Sequence, residues 1–264
     1  MIQNQLLNIS KPLIMRKMFA LMLILGIMGL SSVCAQTYEE GVESPEKSEF
    51  KWPEGKKMGL TLTFDDARTS QVEKGIPLLD KYGVKATFYV TLNPVVELSG
   101  LINGNRQRID QWKQAAENGH EIGNHSVIHP CSGNFDFARE KAIEDYTLKS
   151  MHLELDSASA IIEELLGVRP TSYAYPCGQT FIGSGKETQS LVPLISTMFE
   201  SGRLWLSETP NDPVYCDMAQ LAGMEMDGKS FEQIKVFIEE AKAKGKWLVL
   251  AGHETDEGGS QTVL

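Results

Sequence analysis

Four short stretches of the chain hold most of the side chains able to do chemistry. Asp65-Asp66 ends an apolar run, His125 and His129 stand four residues apart in HSVIH, Pro176-Cys177-Gly178 closes a third run, and His253 follows WLVLAG. Two imidazoles and one carboxylate make a catalytic zinc set that leaves positions open for water and substrate. On a helical turn the spacing of His125 and His129 would put both rings on one side. An isolated Asp-Asp pair commonly just caps a turn. Adjacent residues leaving a strand point in different directions, so Asp65 and Asp66 suit a division of labour better than two-carboxylate glycosidase chemistry. One can bind a metal while the other takes a proton from water. His253 is a candidate general acid, since imidazole titrates near neutral pH. Gly252 before it would let the backbone approach a ligand closely. His120 is expected to be structural, and His152 to be an ordinary residue of a long helix.

These residues need elements to bring them together. The pattern predicts strands over Met58–Phe64, Ala86–Thr91, His120–Asn124, Thr171–Tyr175 and Trp247–Ala251, with weaker ones over Gly202–Leu206 and Met218–Ala222. Helices are predicted over Ser70–Tyr82 (Ile76, Leu78 and Leu79 apolar), Ile109–Asn118, Ser190–Phe199 and Ser230–Lys244 (Phe231, Ile234, Val236, Phe237 and Ala241 apolar). Asp136–Leu166 reads as one long or broken helix ended by Gly167. Repeated strand-then-helix units argue for an α/β fold with a parallel sheet and helices outside, either open or closed into a barrel. In either case, residues just after the strands share one face, where ligands and reactive groups collect. Asp65, Asp66, His125, His129, Cys177 and His253 would therefore meet at one mouth.

The chain has 264 residues, with 25 basic and 35 acidic side chains. Arg16 and Lys17, an apolar run from Met18 to Leu30 and the exit Val33-Cys34-Ala35 read as a secretory signal peptide over residues 1–35, cut before Gln36. Met15 opens it cleanly. The apolar run is too short for a spanning helix, which needs roughly 20 residues. The mature chain is then expected to have no membrane span and to be secreted or periplasmic; a lipoprotein anchor at Cys34 is the competing reading. Its balance of 22 basic against 35 acidic residues is a net charge of −13, which argues against nucleic acid and anionic membrane as partners. Residues 36–56 are polar and acidic, a lead-in, and residues 57–264 would be the catalytic domain. Cys131, Cys177 and Cys216 remain after cleavage, which allows one bridge and one free thiol, or no bridge.

Thr63-Phe64-Asp65-Asp66, His125-Ser126-Val127-Ile128-His129-Pro130, Tyr175-Pro176-Cys177-Gly178 and a strand ending in His253, in that order, resemble the polysaccharide deacetylases, carbohydrate esterases related to the nodulation-type chitooligosaccharide deacetylases. The resemblance covers roughly Lys56 to Leu264. It implies a distorted (β/α) barrel and metal-dependent removal of acetyl groups from an N- or O-acetylated polysaccharide or oligosaccharide. It further implies that Asp66, His125 and His129 hold a divalent metal, usually zinc, that Asp65 is the base, that His253 protonates the leaving amine or alcohol, and that the Cys177 N–H serves the oxyanion.

Several positions depart from the family pattern. Ala174 stands where an arginine often positions the base, and Arg203 from the next segment is the candidate substitute. Cys177 replaces the usual aromatic residue, and Ala251-Gly252-His253 replaces Leu-x-His. The Asp-and-Trp fourth motif is not evident; Trp205 is the nearest candidate for stacking on sugar, although a Trp ending a strand is more often core. A bridge between Cys131 and Cys177 is expected, since both should border the same site and export permits it. The chain ends eleven residues past His253, where family members usually continue, so a truncated fragment is expected. A non-catalytic carbohydrate-binding protein on the same fold is the alternative, but pure binding has no use for a base, an acid and three ligands together. A zinc peptidase is weaker still: there is no His-Glu-x-x-His, and Glu121 precedes the histidines.

Overall fold

A computed structural model describes residues 50–95, 99–102, 106–255 and 261–263. The segment read as a signal peptide, including Cys34, and most of the lead-in lie outside the described residues. Among the described residues, no helix is long and apolar enough to cross a membrane.

Among the described residues nine strands form: β1 (Gly59–Asp65), β2 (Thr87–Val90), β3 (Glu121–Asn124), β4 (Ser172–Ala174), β5 (Phe181–Ile182), β6 (Gln189–Ser190), β7 (Ser201–Arg203), β8 (Met224–Glu225) and β9 (Trp247–Gly252). Seven of them make one sheet in the order β7-β4-β3-β2-β1-β9-β8, with every pair parallel. Leu221 bridges in parallel to Arg203, and three residues later β8 pairs with β9. One run of chain thus touches both edges of the sheet, which is a distorted (β/α) barrel. The helices are α1 (Ile76–Lys81), α2 (Arg106–Glu117), α3 (Leu148–Leu166), α4 (Val192–Met198) and α5 (Phe231–Ala243). They lie in the crossovers, as a parallel sheet requires.

Local signals account for several boundaries. Thr147 and Ser230 each form a capping box, with Ser150 and Gln233 three residues on, and start α3 and α5. Gly167 ends α3 in the left-handed region at φ 77°. The run Asp136–Leu166 is broken: 3-10 turns cover Asp136–Lys141 and Ile143–Asp145 before α3 begins, because Ala142 and Tyr146 are extended (ψ 138° and 150°). Ile143 is buried all the same, so apolar spacing persists where the helix does not. The strand expected over Met218–Ala222 is a 3-10 turn at Met218–Gln220, and the strand itself comes later, as β8. The β5–β6 hairpin, antiparallel, was not foreshadowed by the pattern.

The main core packs Phe88, Val90, Trp112, Ile122, Ile162 and Leu250 between the sheet and α2 and α3. A second cluster, around Tyr173, Tyr175, Leu191, Ile195 and Phe199, sits under the β4–β7 end. Burying each such side chain contributes roughly 1.5–3 kcal/mol. Not every periodic apolar residue joins in. Ile76, Leu79, Ile234, Phe237 and Ala241 pack inward, but Leu78, Phe231 and Val236 are exposed.

Candidate active site

The ends of β1, β3, β4 and β9 open on a cleft of about 420 Å³ whose walls include Asp65, Asp66, His125, His129, Cys177 and His253. All six residues singled out by type and spacing therefore share one mouth, as strand ends in a parallel sheet should.

β1 ends in an unusual turn. Asp66 and Ala67 both have positive φ (74° and 51°), a conformation that costs a non-glycine residue of order 1 kcal/mol or more. The turn is held by Gln71 Nε2, which donates to Asp65 O at 2.6 Å and to His253 O at 2.9 Å, and by the Gly100 N–H, which donates to Asp66 O at 2.9 Å. The result sends the two carboxylates different ways. Asp65 Oδ1 accepts from Arg203 Nη2, whereas Asp66 Oδ1 lies 3.5 Å from Nε2 of both His125 and His129.

The histidine pair is not on a helical turn. Residues 125–130 form a loop with positive φ at Ser126 and His129 (66° and 55°). Asn124 Oδ1 accepts from the Ser126 N–H (2.7 Å) and Ser126 Oγ from the His129 N–H (2.9 Å). Glu154 on α3 accepts from the N–H groups of Val127 and Ile128. This loop brings the rings to 4.7 Å, nearly perpendicular. His125 Nδ1 donates to Ala174 O at 2.8 Å, which leaves its Nε2 lone pair for the site.

Ligand atoms of Asp66, His125 and His129 lie within 4.8 Å of one another, and all three residues are buried. Asp66 Oδ1 is buried with no hydrogen-bond partner among the described residues. An orphaned carboxylate oxygen facing two imidazole nitrogens across 3.5 Å is what a shared divalent cation would satisfy, so this donor set fits a metal. Burial pushes the His129 ring down to about 3, helped by the neighbouring His125, so it is neutral and free to ligate. Burial by itself would raise the Asp66 carboxyl, but the surrounding imidazoles outweigh it and hold the group well below the ordinary carboxylate range.

Arg203 reaches Asp65. Its partner in register across β4–β7 is Ala174, so the guanidinium comes to that carboxylate from one strand further along than Ala174. It is buried, sits 4.9 Å over the Tyr89 ring and donates to Leu204 O at 2.9 Å. Burial would raise Asp65, but Arg203, with His125 and His253, keeps it below its ordinary value. Asp65 is therefore ionised at neutral pH.

Asp227 was missed. It lies just beyond β8, accepts from His253 Nδ1 at 2.6 Å through Oδ2 and from the His253 N–H at 3.0 Å through Oδ1. Burial would lower the His253 ring, but the Asp227 bond and the charges of Asp66 and Asp65 raise it. With the strand misplaced to 218–222, nothing marked Asp227 as a strand-end residue. Arg68 was missed too; it bonds to Asp66 Oδ2.

Cys131 and Cys177 form a disulfide, and Cys216 is free. The bridge joins the His129 loop to the turn at Pro176–Gly178, where Cys177 has φ 54°. Among the described residues the Cys177 N–H meets no acceptor, the hydrogen bonds of that turn coming from Gly178 and Gln179. Trp205 meets the His253 ring edge-on at 4.9 Å. Trp205, Leu206, Val95 and the stacked pair Phe135–Phe137 supply apolar walls. His120 lies outside the site, accepting from the Ala86 N–H through Nδ1 and donating to Asp80 through Nε2. His152 is exposed on α3.

Among curated proteins, the chain is 34% identical over 107 residues to the uncharacterised protein YlxY of Bacillus subtilis, a match covering 40% of this chain and 27% of YlxY. It is 38% identical over 72 residues to the peptidoglycan-N-acetylglucosamine deacetylase PgdA of Listeria monocytogenes, covering 27% of this chain and 13% of PgdA. The chain thus spans little more than a quarter, at most, of these relatives' own lengths. Its fold is like that of a putative polysaccharide deacetylase from Mycobacterium smegmatis, with a TM-score of 0.53 and 16% identity over 77% of this chain and 79% of that one. Residues 53–189, just over half of the chain, match the polysaccharide deacetylase family, and the chain belongs to it.

Proposed function

We propose that the protein is a secreted or periplasmic, metal-dependent deacetylase that hydrolyses acetyl groups on an N- or O-acetylated polysaccharide or oligosaccharide. The observation that carries this reading is the orphaned Asp66 Oδ1 between two imidazole nitrogens, in one cleft with an ionised carboxylate, Asp65, and an imidazole, His253, whose hold on a proton is strengthened by Asp227. Asp66, His125 and His129 would hold the divalent cation, zinc by the chemistry of the donor set. When bound, such an ion polarises the acetyl carbonyl and makes water a better nucleophile at neutral pH.

The remaining work falls to the chain. Asp65 takes a proton from the water whose oxygen adds to the acetyl carbonyl carbon. The Cys177 N–H donates to the carbonyl oxygen as its charge grows. His253 gives its proton to the departing nitrogen or oxygen as that bond to carbon breaks, and acetate leaves. Arg203 holds Asp65 ionised, and Asp227 strengthens the hold of His253 on its proton and keeps the ring turned. The apolar walls Trp205 and Phe135–Phe137 suit the faces of sugar rings, and the disulfide suits an oxidising compartment.

The test pairs metal analysis with acetate release from chitooligosaccharides and acetylated xylan. His125→Ala should lose both metal and activity, while Asp65→Asn should keep metal and lose activity by a hundredfold or more. Equal metal in His125→Ala and the parent would remove the ligand assignment. Acetate release unaffected by Asp65→Asn would remove the base.

A further inference from the structure

We propose that Arg68 is a positioning residue that confines Asp66 to one cation-facing oxygen. The inference rests on the metal reading above and deepens it. Arg68 leaves the turn only two residues after Asp66, and the left-handed backbone at Asp66 and Ala67 folds its side chain back. Nε and Nη2 both donate to Asp66 Oδ2, at 3.2 and 2.8 Å. The guanidinium is itself anchored from the far end of the chain: Nη1 donates to Glu254 Oε1 at 3.2 Å and Nη2 to Gln261 Oε1 at 3.0 Å. Glu254 is held in turn by the Ser70 hydroxyl. The Arg68 and Asp66 side chains are both nearly inaccessible to solvent, at 7% and 4%.

The two oxygens of one carboxylate therefore have opposite surroundings. Oδ2 is saturated by a rigid fork, and Oδ1 accepts nothing and faces His125 and His129. A carboxylate can grip a cation with one oxygen or two, and with Oδ2 taken only Oδ1 is on offer. Since His253 Nε2 lies 3.9 Å from Oδ2, the same fork also fixes how close the ligand carboxylate comes to His253.

A guanidinium beside a cation site has two opposed effects. It orients the ligand, which favours binding, and its charge repels the cation. Glu254, paired with it at 3.2 Å, cancels most of the repulsion, so orientation dominates. Loss of such a supporting hydrogen bond typically weakens metal binding about 10- to 100-fold.

Zinc alone is the probe, titrated into metal-stripped full chain in competition with a chromophoric chelator, with no substrate present. Arg68→Ala should bind zinc about 10- to 100-fold more weakly than the parent, read well below the lowered melting temperature that loss of a buried carboxylate's partner entails. Arg68→Lys keeps the charge but not the fork, so it should also bind more weakly. Should Arg68→Ala fail to fold, Glu254→Gln leaves the fork in place and strips its counter-charge, and it too should bind more weakly. Parental zinc affinity in Arg68→Ala, in Arg68→Lys or in Glu254→Gln would overturn the proposal while leaving the metal site standing. A parent that takes up no zinc would overturn the metal reading and this inference with it.

Discussion

Replacing Arg203 by methionine keeps most of the volume over Tyr89 and removes the charge beside Asp65, so it isolates what the ion pair does. Two routes give the cost. If Asp65 stays ionised, a buried carboxylate loses its partner, which destabilises by about 3–5 kcal/mol. If Asp65 takes up a proton instead, holding an ordinary carboxyl (pKa ~3.9) neutral at pH 7 costs about 4 kcal/mol, at 1.36 kcal/mol per unit. The routes agree at about 4 kcal/mol. For a domain of this size that is a fall in melting temperature of roughly 8–16 °C. The pH dependence fixes the sign. In the parent Asp65 sits below its ordinary value, so its contribution is full above about pH 4 and lost as the pH falls and the carboxylate protonates. In Arg203→Met burial is opposed by less positive charge, the folded-state value rises, and the deficit shrinks in acid as the unfolded chain also protonates. Denaturant melts at several pH values measure this, alongside the double variant Asp65→Asn/Arg203→Met, which leaves no lone charge and should recover most of the loss. The acid-side limb of kcat/KM should also move to higher pH, because the base must be ionised to act. An Arg203→Met cost below about 1 kcal/mol, or no recovery in the double variant, would refute the argument.

Asp227→Asn removes the principal influence that raises His253 against its burial, so the imidazole gives up its proton at lower pH. The alkaline limb of kcat/KM should move to lower pH and kcat should fall about tenfold or more; an unmoved limb would show that His253 is not the acid seen in the profile. Reducing the Cys131–Cys177 bridge frees a loop of 46 residues, worth up to about 4 kcal/mol by chain entropy. Calorimetry with and without reductant should show a drop of several degrees, and an unchanged melt in protein whose two thiols are shown to be free would contradict this.

The residues legible in the sequence are those whose chemistry depends on where a strand stops. Asp65, Asp66, His125, His129, Cys177 and His253 each follow an apolar run, and parallel topology does the rest. What could not be read is set through space. Asp227 was hidden because β8 is only two residues long and its neighbourhood has no alternation. Arg68 was hidden because nothing in D-D-A-R says the side chain folds back; that depends on two left-handed residues and on Glu254, 186 positions away. The histidine spacing suggested a helical turn, yet Asn124 and Ser126 side chains compete for the backbone N–H groups and produce a loop. The broken run before α3 misled for a similar reason, since burial of Ile143 and Tyr146 needs apolar spacing whether or not the helix is continuous.

Gly123 on β3 sets a limit on all of this. A methyl group there would lie 2.5 Å from Tyr89 Cε1 and 2.9 Å from Ser172 Oγ, so the phenol ring could not lie where it does. That ring is the floor on which the Arg203 guanidinium rests, and the guanidinium in turn steadies Asp65. A single hydrogen in place of a side chain, two strands from the aspartate, thus governs the pose of the base that the proposed hydrolysis requires.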